Sequence, residues 1–351
     1  MLIKLQNVPP DTACLAEPRP VRISVAMMAG SEAHFISDAI RSAAWADEVV
    51  VLDTGSTDGT DAIAAELGAF VTREPWRTVD LGDGLRSIDD FAACRNRSIE
   101  LCTGEWIVLL DADERFEGGE NIRALLETLP DCVTWGAMAL DHVDRPELAQ
   151  VMTRLFRRQV GPIYQHRIHE RVVDRLRRQG HVTVPSEAAR VIHLGGRLDV
   201  RAEHRRDERN WRIIQRCLAD DPNDVHALSY AVIMLDDAKR HAEAEVLARH
   251  AFGLCNDATP ERHRIVQSLC EFASRRGGPR AVLRVLEAAF LRWSPNSDCV
   301  AAYGLAQWQA GEPEAAQTIR SALQAGDVSA TMRLQCERAL ARLAEVAHAA
   351  E

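Results

Sequence analysis

Short apolar runs alternate with amphipathic stretches through the first third of the chain, and the alternation predicts an order of elements. Arg22 to Met28 reads as a first strand, and Gly30-Ser31-Glu32 as a turn whose serine or acid can cap a helix to about Ala44. Glu48-Val-Val-Val-Leu-Asp53 is a second strand, rich in β-branched residues and ending in an acid. Thr54 to Thr60 turns the chain into a helix reaching Leu67, with Ser56 or Thr57 placed to cap it. Ala69 to Glu74 is a third strand, and a polar stretch from Arg77 to Arg86 precedes a helix from about Ile88 to Cys102. Five apolar residues, Trp106 to Leu110, then run straight into Asp111-Ala112-Asp113-Glu114. An unbroken apolar run of that length reads as a strand buried on both faces. Strand and helix in turn on this scale predict an α/β fold with a mostly parallel, Rossmann-like, doubly wound sheet.

Beyond Glu114 the pattern changes. A helix near Glu120 to Thr128 is followed by strand-like pieces at Thr134 to Leu140, Val151 to Phe156 and Val191 to Leu194. Residues 151 to 180 between them hold eight arginines, against Glu170 and Asp174. From about Asp199 onward only helical periodicity remains, with breaks near Asp237-Ala238-Lys239, Gly277-Gly278 and Gly311. The step from Gly277 to Gly311 is 34 residues, the length of a helix-hairpin repeat. Stacked hairpins expose a concave face suited to peptides or partner proteins. The expected organisation is an irregular lead-in over 1–20, a sheet domain over 21–198 and an all-α repeat domain over 199–351.

The chemistry sits at the strand ends. Alternation along a strand would point Asp111 and Asp113 the same way at the carboxyl end, where open α/β sheets bind ligands. Adjacent carboxylates repel unless a cation lies between them or one takes a proton, and hard oxygen donors favour Mg²⁺ or Mn²⁺. Asp53, at a second strand end, can accept from a base or ribose, and the helix start after Gly55 attracts anions. The competing bland reading is a polar strand end and a well-made turn.

Composition narrows the field only a little. A net charge of −10 gives no reason to expect nucleic-acid binding. Nine cysteines, an odd number without a CxxC pair, read as reduced residues of a cytosolic protein rather than a disulfide or zinc framework. No secretory leader pattern is expected in the first twenty residues, and no apolar run approaches the ~20 residues of a membrane span. Any membrane role would be peripheral.

Ile23 to Met28, Glu48-Val-Val-Val-Leu-Asp-Thr-Gly-Ser-Thr-Asp-Gly-Thr60, Asp90-Phe-Ala-Ala-Cys-Arg-Asn96 and Gly104 to Glu114 together resemble the family 2 glycosyltransferases of GT-A fold. The resemblance is to the branch carrying TPR-like helical repeats at the C-terminus, which includes lipopolysaccharide-core glucosyltransferases and bacteriocin peptide S-glycosyltransferases. It covers Arg22 to about Gly196 in motif order. It implies a nucleotide-sugar donor, a UDP-sugar by preference, with Mg²⁺ or Mn²⁺. Asp53 would contact the uridine, and Arg95 and Asn96 would lie near the nucleotide. Asp111 and Asp113 would carry the metal, Asp113 more directly, with His193 completing the shell or touching the diphosphate. Ala29-Gly30-Ser31-Glu32 departs from the Lys-Asn-Glu usual at that place, keeping Glu32 near the nucleotide. Tyr164 to Glu170 and Val191 to Gly196 match further segments of the branch. An inverting transfer needs a base for the acceptor's proton; Glu170 is the first candidate and His169 the second. Arg154, Arg157, Arg158, Arg167 and Arg171 could neutralise a departing diphosphate.

The acceptor is expected to be a peptide, protein or glycan, bound with help from the helical repeats, and a homo-oligomer is left open. Two rivals stand beside this reading. One is a scaffold whose sheet domain has lost catalysis. The other is a nucleotidyltransferase, which would want a basic Gly-rich loop after the first strand, and Met28 to His34 has no Lys or Arg.

Overall fold

The computed structural model describes residues 4–9, 17–82, 84, 86–159, 161–194 and 206–349. They fall into two compact units, 1–213 and 214–351. The expected division at 198/199, and the Gly195-Gly196 end of one motif, lie outside the described residues.

The first unit is built on a parallel core of β2 (Ile23–Ala29), β3 (Glu48–Asp53), β4 (Phe70–Arg73) and β7 (Trp106–Leu109), in spatial order β7-β2-β3-β4. Alternate residues of these strands feed opposite cores. Val25, Met27, Val51 and Val108 face the side covered by α1 (Ile36–Ser42), α2 (Thr60–Glu66) and α4 (Gly119–Leu126). Ala26, Val50, Ile107 and Leu109 face the side of α3 (Phe91–Glu100) and α5 (Asp174–Arg177). Residues 106 to 110 are at most 1% exposed, as the unbroken apolar run requires. Because the chain leaves β2 toward β3 and β4 and returns to β7 on the other side, the carboxyl ends of β2 and β7 flank a topological switch point, where such sheets bind ligands.

Beyond β7 the sheet turns mixed. The hairpin of β9 (Val133–His142) and β10 (Arg145–Arg157) adds to it antiparallel, with Leu155 opposite Val108 and Arg157 opposite Trp106. β13 (Gly180–Thr183) and β14 (Arg190–His193) both pair with β9 in parallel, and β14 also pairs antiparallel with β8 (Glu114–Glu117). The stretch read as an irregular lead-in and the one read only as polar both hold strands. In the lead-in, β1 (Lys4–Gln6) pairs with β13, with the apolar Leu5 opposite Val182 and packed on the core. Within the polar stretch, β5 (Thr78–Asp80) and β6 (Arg86–Ile88) form a small hairpin that buries Val79 and Leu81.

The second unit, with the helix leading into it, is helical: α6 (Arg206–Asp220), α7 (Val225–Asp237), α8 (His241–Leu254), α9 (Arg262–Phe290), α10 (Ser297–Ala310), α11 (Ala315–Gln324) and α12 (Ala330–Ala349). The breaks fall where the sequence places them. Gly278 takes φ 60°, ψ −156° before Pro279 and kinks α9 into two, and Gly311 closes α10 in the left-handed region. Asp224 and Asn296 cap α7 and α10 by accepting from backbone N–H groups three residues on. Ala301, Leu305, Ile319, Ala322, Val328, Cys336 and Ala339 form one shared core under α10, α11 and α12. Among the described residues no helix is long and apolar enough to cross a membrane, and the cysteines are free.

One close approach tests the packing. α4 begins at Gly119, where a Cβ would run into the indole of Trp45, itself edge-on to Phe116 at 5.5 Å. Gly119→Ala is therefore expected to lower stability by about 1–3 kcal/mol. Urea unfolding reads it as a lower midpoint at unchanged slope, and an unchanged midpoint would show that the indole yields without cost.

Candidate active site

The loops after β2 and β3 are stitched together. Ser31 N–H donates to Ser56 Oγ (2.9 Å), Glu32 N–H to Thr60 Oγ1 (2.8 Å) and Ala33 N–H to Asp58 Oδ2 (3.0 Å). Thr57 N–H donates back to Ser31 Oγ (3.3 Å). The capping expectation is corrected here. α2 starts at Thr60 behind Gly59, and Ser56 is spent on the neighbouring loop rather than on the helix. Ser31 likewise does not cap α1, which begins only at Ile36. Asp53 is fully buried. Its Oδ1 accepts from Gly55 and Ser56 N–H groups (3.1 and 2.8 Å), whereas Oδ2 makes no hydrogen bond among the described residues and lies 3.5 Å from Arg73 Nε.

At the end of β7 the account from alternation also needs correcting. The strand stops at Leu109, and the chain turns through Asp111 and Asp113 before β8. The two acids share a neighbourhood because Glu114 closes that turn. Its Oε2 accepts from Asp111 N–H (2.9 Å), and its N–H donates to Asp111 O (3.0 Å). Glu114 is 1% exposed and takes Arg154 on its other oxygen. Burial pushes the Glu114 carboxyl up to about 7, with Arg154 opposing and Asp111 and Asp113 reinforcing. Glu32 sits close by and is pushed up to about 8, first by burial and then by the charges of Asp113, Asp58 and Asp111. Burial would raise Asp111 too, but the guanidinium groups of Arg95 and Arg154 hold it well below the usual range.

Arg95 is the hub of the opposite wall. Nearly buried on α3, it donates through Nη1 to Asp111 Oδ1 (2.9 Å) and through Nε and Nη2 to Glu170 Oε1 (3.0 and 2.8 Å). Glu170 thus has one oxygen in an ion pair, and Oε2 takes no part in those bonds. His169 beside it is exposed, with a positive φ of 51°. Asn96 turns to the backbone: its Oδ1 accepts from Ile163 and Tyr164 N–H groups and its Nδ2 donates to Tyr164 O, each at 2.9 Å. That amide secures the segment leading to Glu170, and a direct nucleotide contact would have to compete with all three bonds.

His193, at the end of β14, brings Nε2 to 3.3 Å from Asp113 Oδ2. Burial would lower its pKa, but the hydrogen bond and charge of Asp113 outweigh this and raise it. The arginine group is narrower than its sequence suggests. β10 runs back along β7, so Arg154 lies at the acidic end while Arg157 lies at the far end, paired with Glu105 and stacked 4.7 Å over Trp106. Two residues not anticipated join the site. His142 meets His193 at 3.2 Å, Nδ1 to Nδ1, through a strand pairing that sequence spacing cannot reveal. Half-buried Arg209 of α6 stacks 4.8 Å over Phe91 and donates to Asn210 Oδ1 (3.2 and 3.1 Å). Burial lowers its pKa to about 10, with Arg206 adding to the fall and Glu170 and Glu32 opposing it.

Removing Arg95 would leave Asp111 and Glu170 half-buried without their shared cation. Loss of one partner of such a cluster costs about 3–5 kcal/mol. Arg95→Ala is therefore expected to destabilise the chain by that much in chemical denaturation, well beyond Arg158→Ala at an exposed position just past β10. Equal effects of the two would contradict the hub.

Residues 24–138, the segment holding Asp53, Arg95, Asp111 and Asp113, match the family described as Glycosyl transferase family 2. A TPR repeat-containing protein of Synechococcus elongatus is 30% identical over 220 residues, 59% of this chain and 51% of that one. Lipopolysaccharide core biosynthesis glycosyltransferase LpsC of Rhizobium meliloti is 30% identical over 106 residues, 29% of this chain and 33% of that one. The chain thus spans about half the length of the first relative and a third of the second. Among solved structures, glucosyl-3-phosphoglycerate synthase from Mycobacterium tuberculosis, in complex with Mn²⁺, UDP and glucosyl-3-phosphoglycerate, is 24% identical with a TM-score of 0.26, over 35% of this chain and 43% of that one. The parallel core and the acid turn after β7 thus lie in a segment, residues 24–138, that matches glycosyl transferase family 2.

Proposed function

We propose that this chain is a metal-dependent, inverting glycosyltransferase that moves a sugar from a nucleoside-diphosphate sugar, with uridine the favoured base, to a peptide, protein or glycan acceptor. One observation carries the reading. Glu32, Asp111, Asp113 and Glu114 crowd the carboxyl end of the parallel core until burial and mutual repulsion push two of them up to about 8 and 7. A divalent cation relieves that repulsion, and carboxylate oxygens beside an imidazole nitrogen suit Mg²⁺ or Mn²⁺. Asp113 and His193 are the freer donors, since Asp111 already answers to Arg95 and Arg154. The cation supplies charge neutralisation for the departing diphosphate.

The remaining roles belong to the chain itself. Asp53, whose buried Oδ2 has no hydrogen bond among the described residues and only Arg73 at ion-pair distance, is an acceptor for a donor group on the base. Arg95 holds Asp111 and Glu170 at a fixed spacing across the pocket, and Asn96 fixes the loop that delivers Glu170. Glu170 is the base for the acceptor's proton through Oε2, with exposed His169 the alternative. Arg209 lies within the field of Glu170 and Glu32, and supplies positive charge toward a leaving diphosphate. The second unit, built of stacked helices, selects the acceptor.

Thermal melting with UDP tests the site. At ~100 times its dissociation constant a ligand adds ~2.7 kcal/mol of stability. UDP is expected to raise the melt only when Mn²⁺ is present, and Asp113→Asn is expected to abolish the rise while leaving the ligand-free melt in place. A rise that needs no metal and survives Asp113→Asn would overturn the assignment. Release of UDP from UDP-glucose by the full chain separates an enzyme from a scaffold that only binds.

A further inference from the structure

His142 is the last residue of β9 and His193 the last of β14, and the parallel pairing sets them in register. Register partners in a sheet project to the same face, so the rings meet: centroids 4.9 Å apart, planes at 66°, Nδ1 to Nδ1 at 3.2 Å. The backbone holds both where they are. Val143 N–H donates to His193 O (3.2 Å) and Leu194 N–H to Asp113 O (2.8 Å).

Two imidazole nitrogens make a hydrogen bond only if one carries hydrogen and the other a lone pair. A nitrogen that ligates a cation must present its lone pair. With His193 Nε2 turned to the cation beside Asp113, its ring hydrogen is on Nδ1, and the only orientation left for the contact is donation to His142 Nδ1. The partner of a ligating histidine is commonly a carboxylate or carbonyl, which accepts from any hydrogen aimed at it. An imidazole accepts only at a bare nitrogen, so here one tautomer of His142 is selected together with one of His193.

We propose that His142 is a positioning residue: it accepts the Nδ1 hydrogen of His193 and so holds that ring, in orientation and tautomer, with Nε2 presented beside Asp113. The inference rests on the reading of Asp113 and His193 as cation ligands.

The test is Mn²⁺ affinity of the full chain by titration calorimetry, at fixed pH and without donor. Loss of such a partner weakens metal binding ~10–100-fold. His142→Phe, which keeps an aromatic ring but has no acceptor, is expected to weaken Mn²⁺ by that factor. His142→Asn, whose amide oxygen can take the same hydrogen, is expected to stay within a few-fold of wild type. ¹⁵N spectra of the imidazoles, with Zn²⁺ as the diamagnetic probe, should place hydrogen on His193 Nδ1 in wild type and in His142→Asn. If wild type binds and His142→Phe binds equally well, His142 is packing only and this inference fails alone. Equal weakening by His142→Asn and His142→Phe, with both still folded in the metal-free melt, would also sink it. If wild type takes up no Mn²⁺, or Asp113→Asn takes it up as wild type does, the underlying reading fails and carries this inference with it.

Discussion

Negative charge held at the mouth of a parallel sheet is the constraint that organises the first unit. Glu114 is buried and closes the turn that sets Asp111 and Asp113 together, and it persists there only because Arg154 is buried against it. Arg95 plays the same part on the other wall, joining Asp111 to Glu170, the latter 75 residues beyond Arg95 in the chain. Neither guanidinium answers Glu32 or Asp113. The cluster is therefore ion-paired on one flank, whereas Glu32 and Asp113 on the other feel only the charges of Arg206, Arg209 and Arg115, and that weakly relieved flank is the one His193 faces. Buried ion clusters of this kind contribute little to net stability, because desolvation consumes what attraction provides. Their retention here is better understood as positioning of charge than as support for the fold.

Much of this was legible in the sequence. The strands ending in Asp53 and near Asp111 announced themselves by unbroken apolar runs, since a strand buried on both faces has no polar positions to hide it. Gly278 and Gly311 marked the helical breaks because each takes a backbone shape that other residues resist. Two small elements were missed for want of periodicity. β1 is three residues long, and the hairpin of β5 and β6 lies in a stretch whose polar majority masks Val79 and Leu81.

The site was legible in its residues but less so in its wiring. Asp53, Glu32, Arg95, Asp111, Asp113, Glu170 and His193 all come to one end of the sheet, yet the reason given for the two aspartates, strand alternation, does not apply beyond Leu109. His142 could not have been found, because only the parallel register of two strands distant in sequence sets it against His193. Arg157 was overvalued for the same reason in reverse: a run of arginines along a strand says nothing of which strand it runs beside, or in which direction. Ser56, read as a helix cap, and Asn96, read as lying near the nucleotide, both hold loops through backbone groups, work that sequence does not distinguish from other uses of small polar side chains.

The claim beneath all of this is that the flank of the acid cluster at Asp113 and His193 is where a divalent cation sits. Crystals grown with Mn²⁺ and UDP, measured on either side of the manganese absorption edge, test it most directly. The account predicts one anomalous peak within bonding distance of Asp113 and His193 Nε2, with the diphosphate against it. A peak elsewhere in the molecule, or ordered UDP in this pocket with no metal beside it, would contradict the account.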